Sequence, residues 1–144
     1  MFSFYSRIVV AYDASELSKK ALEMAKQLAE QDKRIEIHIL SVIKDKNAGD
    51  EFGVPYEKVR EQQQKKVQEL LAEVKESLSD MENPTEIVLL KGHPAEMILD
   101  YAKNRNADLI IIGSRGLSTF KEIFLGSVSH NIVQHSHCPV LVAK

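Results

Sequence analysis

ADLIIIGSRG, Ala107 to Gly116, sets the reading of the whole chain. A branched aliphatic run, Asp108–Ile112 (DLIII), passes straight into Gly113-Ser114-Arg115-Gly116, and nine residues further on comes Gly126-Ser127. Short runs of Ile, Val and Leu bounded by glycine or polar residues read as strands. A run that is continuous rather than alternating implies burial on both faces, as in a parallel sheet. The segment is therefore a strand, a small-residue turn, a loop and a helix start.

Four other runs share the pattern: Arg7–Tyr12 (RIVVAY), Ile35–Val42 (IEIHILSV), Glu86–Leu90 (EIVLL) and Val140–Ala143 (VLVA). IVVA and VLVA are continuous like DLIII, so the same burial is expected of them. Helical spacing lies between the runs. After Ser15 come Leu17, Ala21, Leu22, Ala25, Leu28 and Ala29, and either Ser15 or Ser18 can cap the start. Tyr56–Met81 carries Val59, Val67, Leu70, Leu71, Val74 and Leu78 behind a polar, solvated first half. Pro94–Lys103 opens on a first-turn proline and carries Ala95, Ile98, Leu99 and Ala102; Gly126–Ser136 carries Val128, Ile132 and Val133. Strict alternation of this kind predicts a doubly wound α/β sheet with right-handed crossovers. Ligands of such sheets bind beyond the carboxyl ends of the strands, where strand order switches. The polar stretch Lys44–Pro55 reads as a loop and a candidate lid over that crevice.

A chain of 144 residues fits one domain, 1–144, and 44% hydrophobic with 28% charged residues is ordinary for a globular protein. A formal net charge of −2 gives no sign of non-specific nucleic-acid binding. No run is long enough to span a bilayer. The opening MFSFYSRIVVAYD lacks the basic and long apolar regions of a signal peptide, and the one cysteine, Cys138, cannot form an internal disulfide. The expected location is the cytoplasm.

The chemistry concentrates after the fourth run. Glycines allow close backbone approach, and free amides at a helix start favour a phosphate. Ser114, Ser127 and Ser129 offer hydroxyls there, and Arg115 and Lys121 offer positive charge. The same glycines can simply shape a turn and begin a helix, and the residues alone leave both readings open. There is no G-x-x-x-x-G-K-[ST] and no G-x-G-x-x-G, which argues against a P-loop or a Rossmann dinucleotide site. Asp13 is either a ribose or Mg²⁺ ligand at the crevice mouth or a turn residue capping the first helix. Asp108, at the other end of its strand, reads as structural. His130, His135, His137 and Cys138 lack the tight spacing of a structural zinc site, and His93 reads as a surface turn residue.

The spacing Gly113-x2-Gly116-x9-Gly126-Ser127 resembles the nucleotide motif of the ATP-binding branch of the universal stress protein family. RIVVAYDAS, GHPAEMILDYA, ADLIIIGSRG and HCPVLV resemble other segments of that family, so the likeness covers nearly the whole chain. It implies a three-layer sandwich: a five-stranded parallel sheet of order 3-2-1-4-5 with helices on both faces. It implies ATP or another adenine nucleotide as ligand, with Mg²⁺ on its phosphates. Carried over, Ala11, Tyr12 and Asp13 end the first strand at the ribose and metal side. Val42 lies near the adenine, and Ile112, Gly113, Arg115 and Gly116 run along the nucleotide. Gly126, Ser127, Val128 and Ser129 reach the phosphates. Positions 11 and 12 are where members vary, and the ring of Tyr12 is expected to crowd or stack on the ligand. The resemblance also implies a homodimer through Val140, Leu141, Val142 and Ala143. The function expected is a stress-linked regulatory binding module with little or no hydrolysis. A slow metal-dependent ATPase carried by Asp13 and a nucleotide-free dimeric scaffold are the alternatives.

Overall fold

Branched aliphatic strands need cover on two sides, and the topology provides it. The computed structural model describes residues 6–43, 56–116 and 125–144, with the side chains of 56–60 outside that set. The candidate lid Lys44–Pro55, the core position Val59 and the candidate cation Lys121 lie outside the described residues. Strands β1 (Arg7–Ala11), β2 (Glu36–Ile43), β3 (Thr85–Lys91), β4 (Leu109–Gly113) and β5 (Val140–Ala143) alternate with helices α1 (Glu16–Ala29), α2 (Tyr56–Ser77), α3 (Pro94–Asn104) and α4 (Ser127–His135). All strand pairs are parallel, in the order β3-β2-β1-β4-β5. This is the expected α/β sandwich with its order 3-2-1-4-5.

Successive residues of a strand face opposite sides. Ile8 and Val10 of β1 pack with Ala21, Leu22, Ala25 and Ala29 of α1 and with Val74 of α2. Val9 and Ala11 pack on the other face with Ile98 and Ala102 of α3 and Ile132 of α4. The continuous apolar reading of β1 and β4 is thus explained, since every residue from Leu109 to Gly113 is buried. β5 departs from it: as an edge strand it leaves Val140, Leu141 and Val142 half-buried. Conversely β2, with His38 and Ser41 in its run, is buried from Ile37 to Ser41 because it lies between β1 and β3. Val133 is 45% exposed and does not join the core expected of it. The second helix stops at Ser77, four residues short of Met81, although Leu78 beyond its end is still buried.

Buried polar groups hold the connections. The Asn83 amide nitrogen donates to the carbonyls of Ala29, Asp32 and Ile35 at 3.0, 2.9 and 2.9 Å, satisfying the turn after α1. At the amino ends of the strands, Asp108 Oδ2 accepts from the Ser6 and Arg7 amides, both at 3.0 Å, and from the Ser6 hydroxyl, the structural role expected of it. Beside it Arg7 Nε donates to Glu36 Oε2 at 2.7 Å. Buried His38 places Nε2 3.3 Å from that same oxygen and Nδ1 2.7 Å from the Tyr101 hydroxyl, with Glu86 3.5 Å away. Arg105 lies over the Tyr101 ring, and its carbonyl accepts from the Arg7 guanidinium.

The Arg7 hydrogen bond, ahead of any help from His38, holds the Glu36 carboxyl below its ordinary 4.5. A depressed folded value means that the stabilisation is present above 4.5 and is lost as pH falls through the folded value. Glu36→Gln is therefore expected to be less stable than the parent at neutral pH and to lose less stability on acidification. Urea unfolding between pH 3 and 7 checks this; parallel pH profiles for the two proteins would contradict it.

Candidate functional site

β1 is flanked by β2 on one side and β4 on the other, so the chain runs outward in both directions from the β1/β4 pair. That is the switch point at which doubly wound sheets open a crevice. Two bends leave it side by side, one after β1 and one after β4.

The first bend is built from local hydrogen bonds. Ala14 adopts φ 67°, in the left-handed region. The Asp13 carboxylate stabilises it, with Oδ1 accepting from the Ser15 amide at 2.9 Å. Ser15 then caps α1, its hydroxyl accepting from the Ser18 amide at 3.2 Å. The Ser18 hydroxyl donates to the Ser15 carbonyl at 2.9 Å and accepts from the Asp13 amide at 3.3 Å. Of the two readings of Asp13, the capping role thus passes to Ser15. Asp13 makes the turn with one oxygen, and its exposed Oδ2 has no hydrogen bond among the described residues.

The second bend is tied to its surroundings by main-chain bonds. The Ser114 amide donates to the Ala143 carbonyl of β5 at 2.7 Å, and the Gly126 amide donates to the Ser114 carbonyl at 2.7 Å. Gly126 is the cap residue of α4, so that helix begins directly against the end of β4. The Ser127, Val128 and Ser129 amides occupy the first turn, where no intrahelical acceptor exists. The buried Ser129 hydroxyl donates to the Gly113 carbonyl at 2.6 Å. It ties the helix to the strand, and its proton is already committed.

Gly113 and Gly116 matter for space, not for positive φ, which among the described glycines belongs to Gly92 alone. A Cβ on Gly113 would lie 2.8 Å from Leu17 Cβ of α1. One on Gly116 would lie 2.6 Å from Asp13 Oδ2, which shows the two bends in contact. One on Gly126 would meet only ordinary neighbours, Arg115 Cα and the Ser114 carbonyl, both at 3.6 Å.

The remaining expected residues divide by face. Ala11 and Ile112 are buried on the α3/α4 side, with Val42 and Val128 partly buried against the same cluster. Tyr12 points to the other side: its ring is buried with Ile8, Val10 and α1, away from the apolar set. Its amide bonds the Leu40 carbonyl at 2.8 Å, and its carbonyl accepts from the Ser41 hydroxyl at 2.7 Å. Burial, and then the nearby Glu73, Asp13 and Glu16, raise its phenol above the ordinary value. Arg115 is half-buried beside Gly116. His93 is exposed at the amino end of α3, and His130, His135 and His137 are exposed as well. Among the described residues no group of three or more His, Cys, Asp or Glu is placed to hold a metal. Sequence reasoning named Leu17 only as an apolar helix position and Ser18 only as an alternative cap, whereas the cap is Ser15 and Ser18 ties Asp13 to the helix start; Ser41 had been given no role at the site.

Comparison with known proteins places this geometry in context. Residues 4–144 match the model of the universal stress protein family. Universal stress protein YxiE of Bacillus subtilis is 34% identical over 148 residues, covering 97% of this chain and 99% of that one. The solved structure of MJ0577, a universal stress protein of Methanocaldococcus jannaschii, superposes with a TM-score of 0.88 at 29% identity, covering 99% and 97% of the two chains. A universal stress protein crystallised in complex with cAMP superposes with a TM-score of 0.72 at 25% identity, with 98% of each chain covered.

Replacing the two flanking glycines should separate packing from ligand contact. Gly113→Ala is expected to cost about 1–3 kcal/mol through overpacking against Leu17. Gly126→Ala should cost under about 1 kcal/mol, since it only exchanges one cap residue for a poorer one. Equal losses of stability in urea would contradict this account.

Proposed function

The chain belongs to the universal stress protein family, and from that premise we propose that it is an adenine-nucleotide-binding regulatory module whose ligand is ATP. One observation carries the reading. The Asp13 carboxylate meets Gly116, and Gly126 starts α4 against Ser114, so two small-residue bends and a helix start converge at the switch point. A relative holding cAMP in the same fold supports an adenine nucleotide as the ligand class.

In this reading the first-turn amides of α4 at Ser127 and Val128 receive the phosphates, aided by the helix dipole. Gly113, Arg115 and Gly116 lie along the nucleotide. Ala11, Val42, Ile112 and Val128 offer the apolar wall for the base, which their shared cluster supports. Tyr12 acts through its main chain, since its ring lies in the other core. Ser129 acts as a strut. Asp13 Oδ2 takes a ribose hydroxyl or a phosphate-bound Mg²⁺; a carboxylate oxygen with no hydrogen bond among the described residues fits that hard cation. Binding, not turnover, is the task, and ligand occupancy sets the state of the protein.

The half-buried edge of β5 favours a homodimer through Val140, Leu141, Val142 and Ala143, since an apolar edge strand is normally paired or covered. The reading takes the chain as one cytoplasmic domain; among the described residues no helix is long and apolar enough to cross a membrane.

Isothermal titration of the purified protein with Mg²⁺ and ATP is expected to show saturable one-to-one binding. Asp13→Asn should weaken it by roughly 10- to 100-fold, as loss of a charge-assisted contact does. Absence of heat and of thermal stabilisation at millimolar ligand would remove the reading. Sedimentation of the free protein is expected to give a dimer, and a monomer at high concentration would contradict the β5 pairing.

A further inference from the structure

Ser129 is 3% exposed, and its hydroxyl points away from solvent toward the end of β4. Three bonds converge at this junction. The Ser129 hydroxyl reaches the Gly113 carbonyl at 2.6 Å, the Gly126 amide reaches the Ser114 carbonyl at 2.7 Å, and the His130 amide reaches the Gly126 carbonyl at 2.9 Å. The main-chain bond fixes where α4 begins. The hydroxyl bond, one residue past Val128, fixes how its first turn is rotated against the strand. A single hydrogen bond leaves a hinge; two at different heights on the helix remove it. Ile132, one turn further along α4, is fully buried and gives the helix a third anchor on the α3/α4 side.

We propose that Ser129 is a positioning residue that aims the Ser127 and Val128 amides at the ligand's phosphates without touching the ligand. The inference rests on the nucleotide-binding reading and goes beyond it by separating one hydroxyl from the binding set. Its consequence is selective. The amides serve phosphate, whereas Asp13 and the apolar wall serve ribose and base. Loss of the latch should therefore weaken ligands according to their phosphates and leave the nucleoside unaffected.

The test compares ATP, AMP and adenosine on the parent, Ser129→Ala and Ser129→Thr by calorimetric competition. Ser129→Ala is expected to lose roughly five- to tenfold in ATP affinity, the scale of one buried hydrogen bond, with adenosine unchanged. Ser129→Thr keeps the hydroxyl and should restore ATP binding. Amide hydrogen exchange on the ligand-free proteins supplies the second readout. The Gly126 amide should exchange faster in Ser129→Ala, which a hydroxyl that merely contacts phosphate would not cause. Should Ser129→Ala melt before titration, Ser129→Cys, a near-isostere with a weak donor, is measured in its place. Equal losses for ATP and adenosine, or unchanged Gly126 exchange, would overturn the latch while leaving nucleotide binding intact. A parent protein that binds none of the three ligands would overturn both readings.

Discussion

Leu17 stands where a side chain on residue 113 would have to be. A Cβ there would lie 2.8 Å from Leu17 Cβ and 3.0 Å from the Leu17 carbonyl carbon, distances that the backbone of α1 cannot yield. The missing side chain lets the first turn of α1 lie directly on the last residue of β4. With α1 seated there, the bend after β1 comes to rest against the bend after β4, and Asp13 meets Gly116. α4 is then drawn onto the same spot through Ser114 and Gly113. The two bends and the start of α4 meet around that contact, while Ala11 and Val42 take their places from the sheet itself.

The two ends of the sheet are built on opposite plans. At the amino ends, Arg7, Glu36, His38, Tyr101 and Asp108 satisfy one another in a partly buried network, and charge is paired with charge. At the carboxyl ends, one carboxylate oxygen of Asp13 and the first-turn amides of α4 have no hydrogen-bond partner among the described residues. A non-glycine residue, Ala14, is held at φ 67° in that region, a conformation that costs about 1–2 kcal/mol for an L-residue. The bonds of Asp13, Ser15 and Ser18 hold it there. That contrast between the two ends is why the proposed function places the ligand at the carboxyl ends, beside a strained and well-fastened turn.

Much of this was legible from residue order. The aliphatic runs located all five strands to within about two residues, and Ser15, Pro94 and Gly126 marked helix starts. What failed to read depended on neighbours remote in sequence. VLVA has the composition of a buried strand, yet β5 lies at an edge; EIHILSVI carries a histidine and a serine, yet its central part is enclosed. Position in the sheet decided both cases. The glycines were legible as small residues at a site, but the reason for Gly113 lies on Leu17, 96 positions earlier in the chain. Tyr12 was placed at the ligand because it follows the strand, although the alternation Ile8, Val10, Tyr12 already assigns its ring to the α1 side. The proton of Ser129 looked available for phosphate until its acceptor was seen.

The central claim is that the carboxyl ends of β1 and β4, with the start of α4, receive a phosphorylated adenine ligand. The most direct measurement is amide NMR of the ¹⁵N-labelled protein during addition of Mg²⁺ and ATP. The account predicts saturable shifts at Asp13, Gly116, Ser127 and Val128, with Glu36, His38 and Asp108 at the far end of the sheet unmoved. Shifts confined to that far end, or none anywhere at saturating nucleotide, would contradict it.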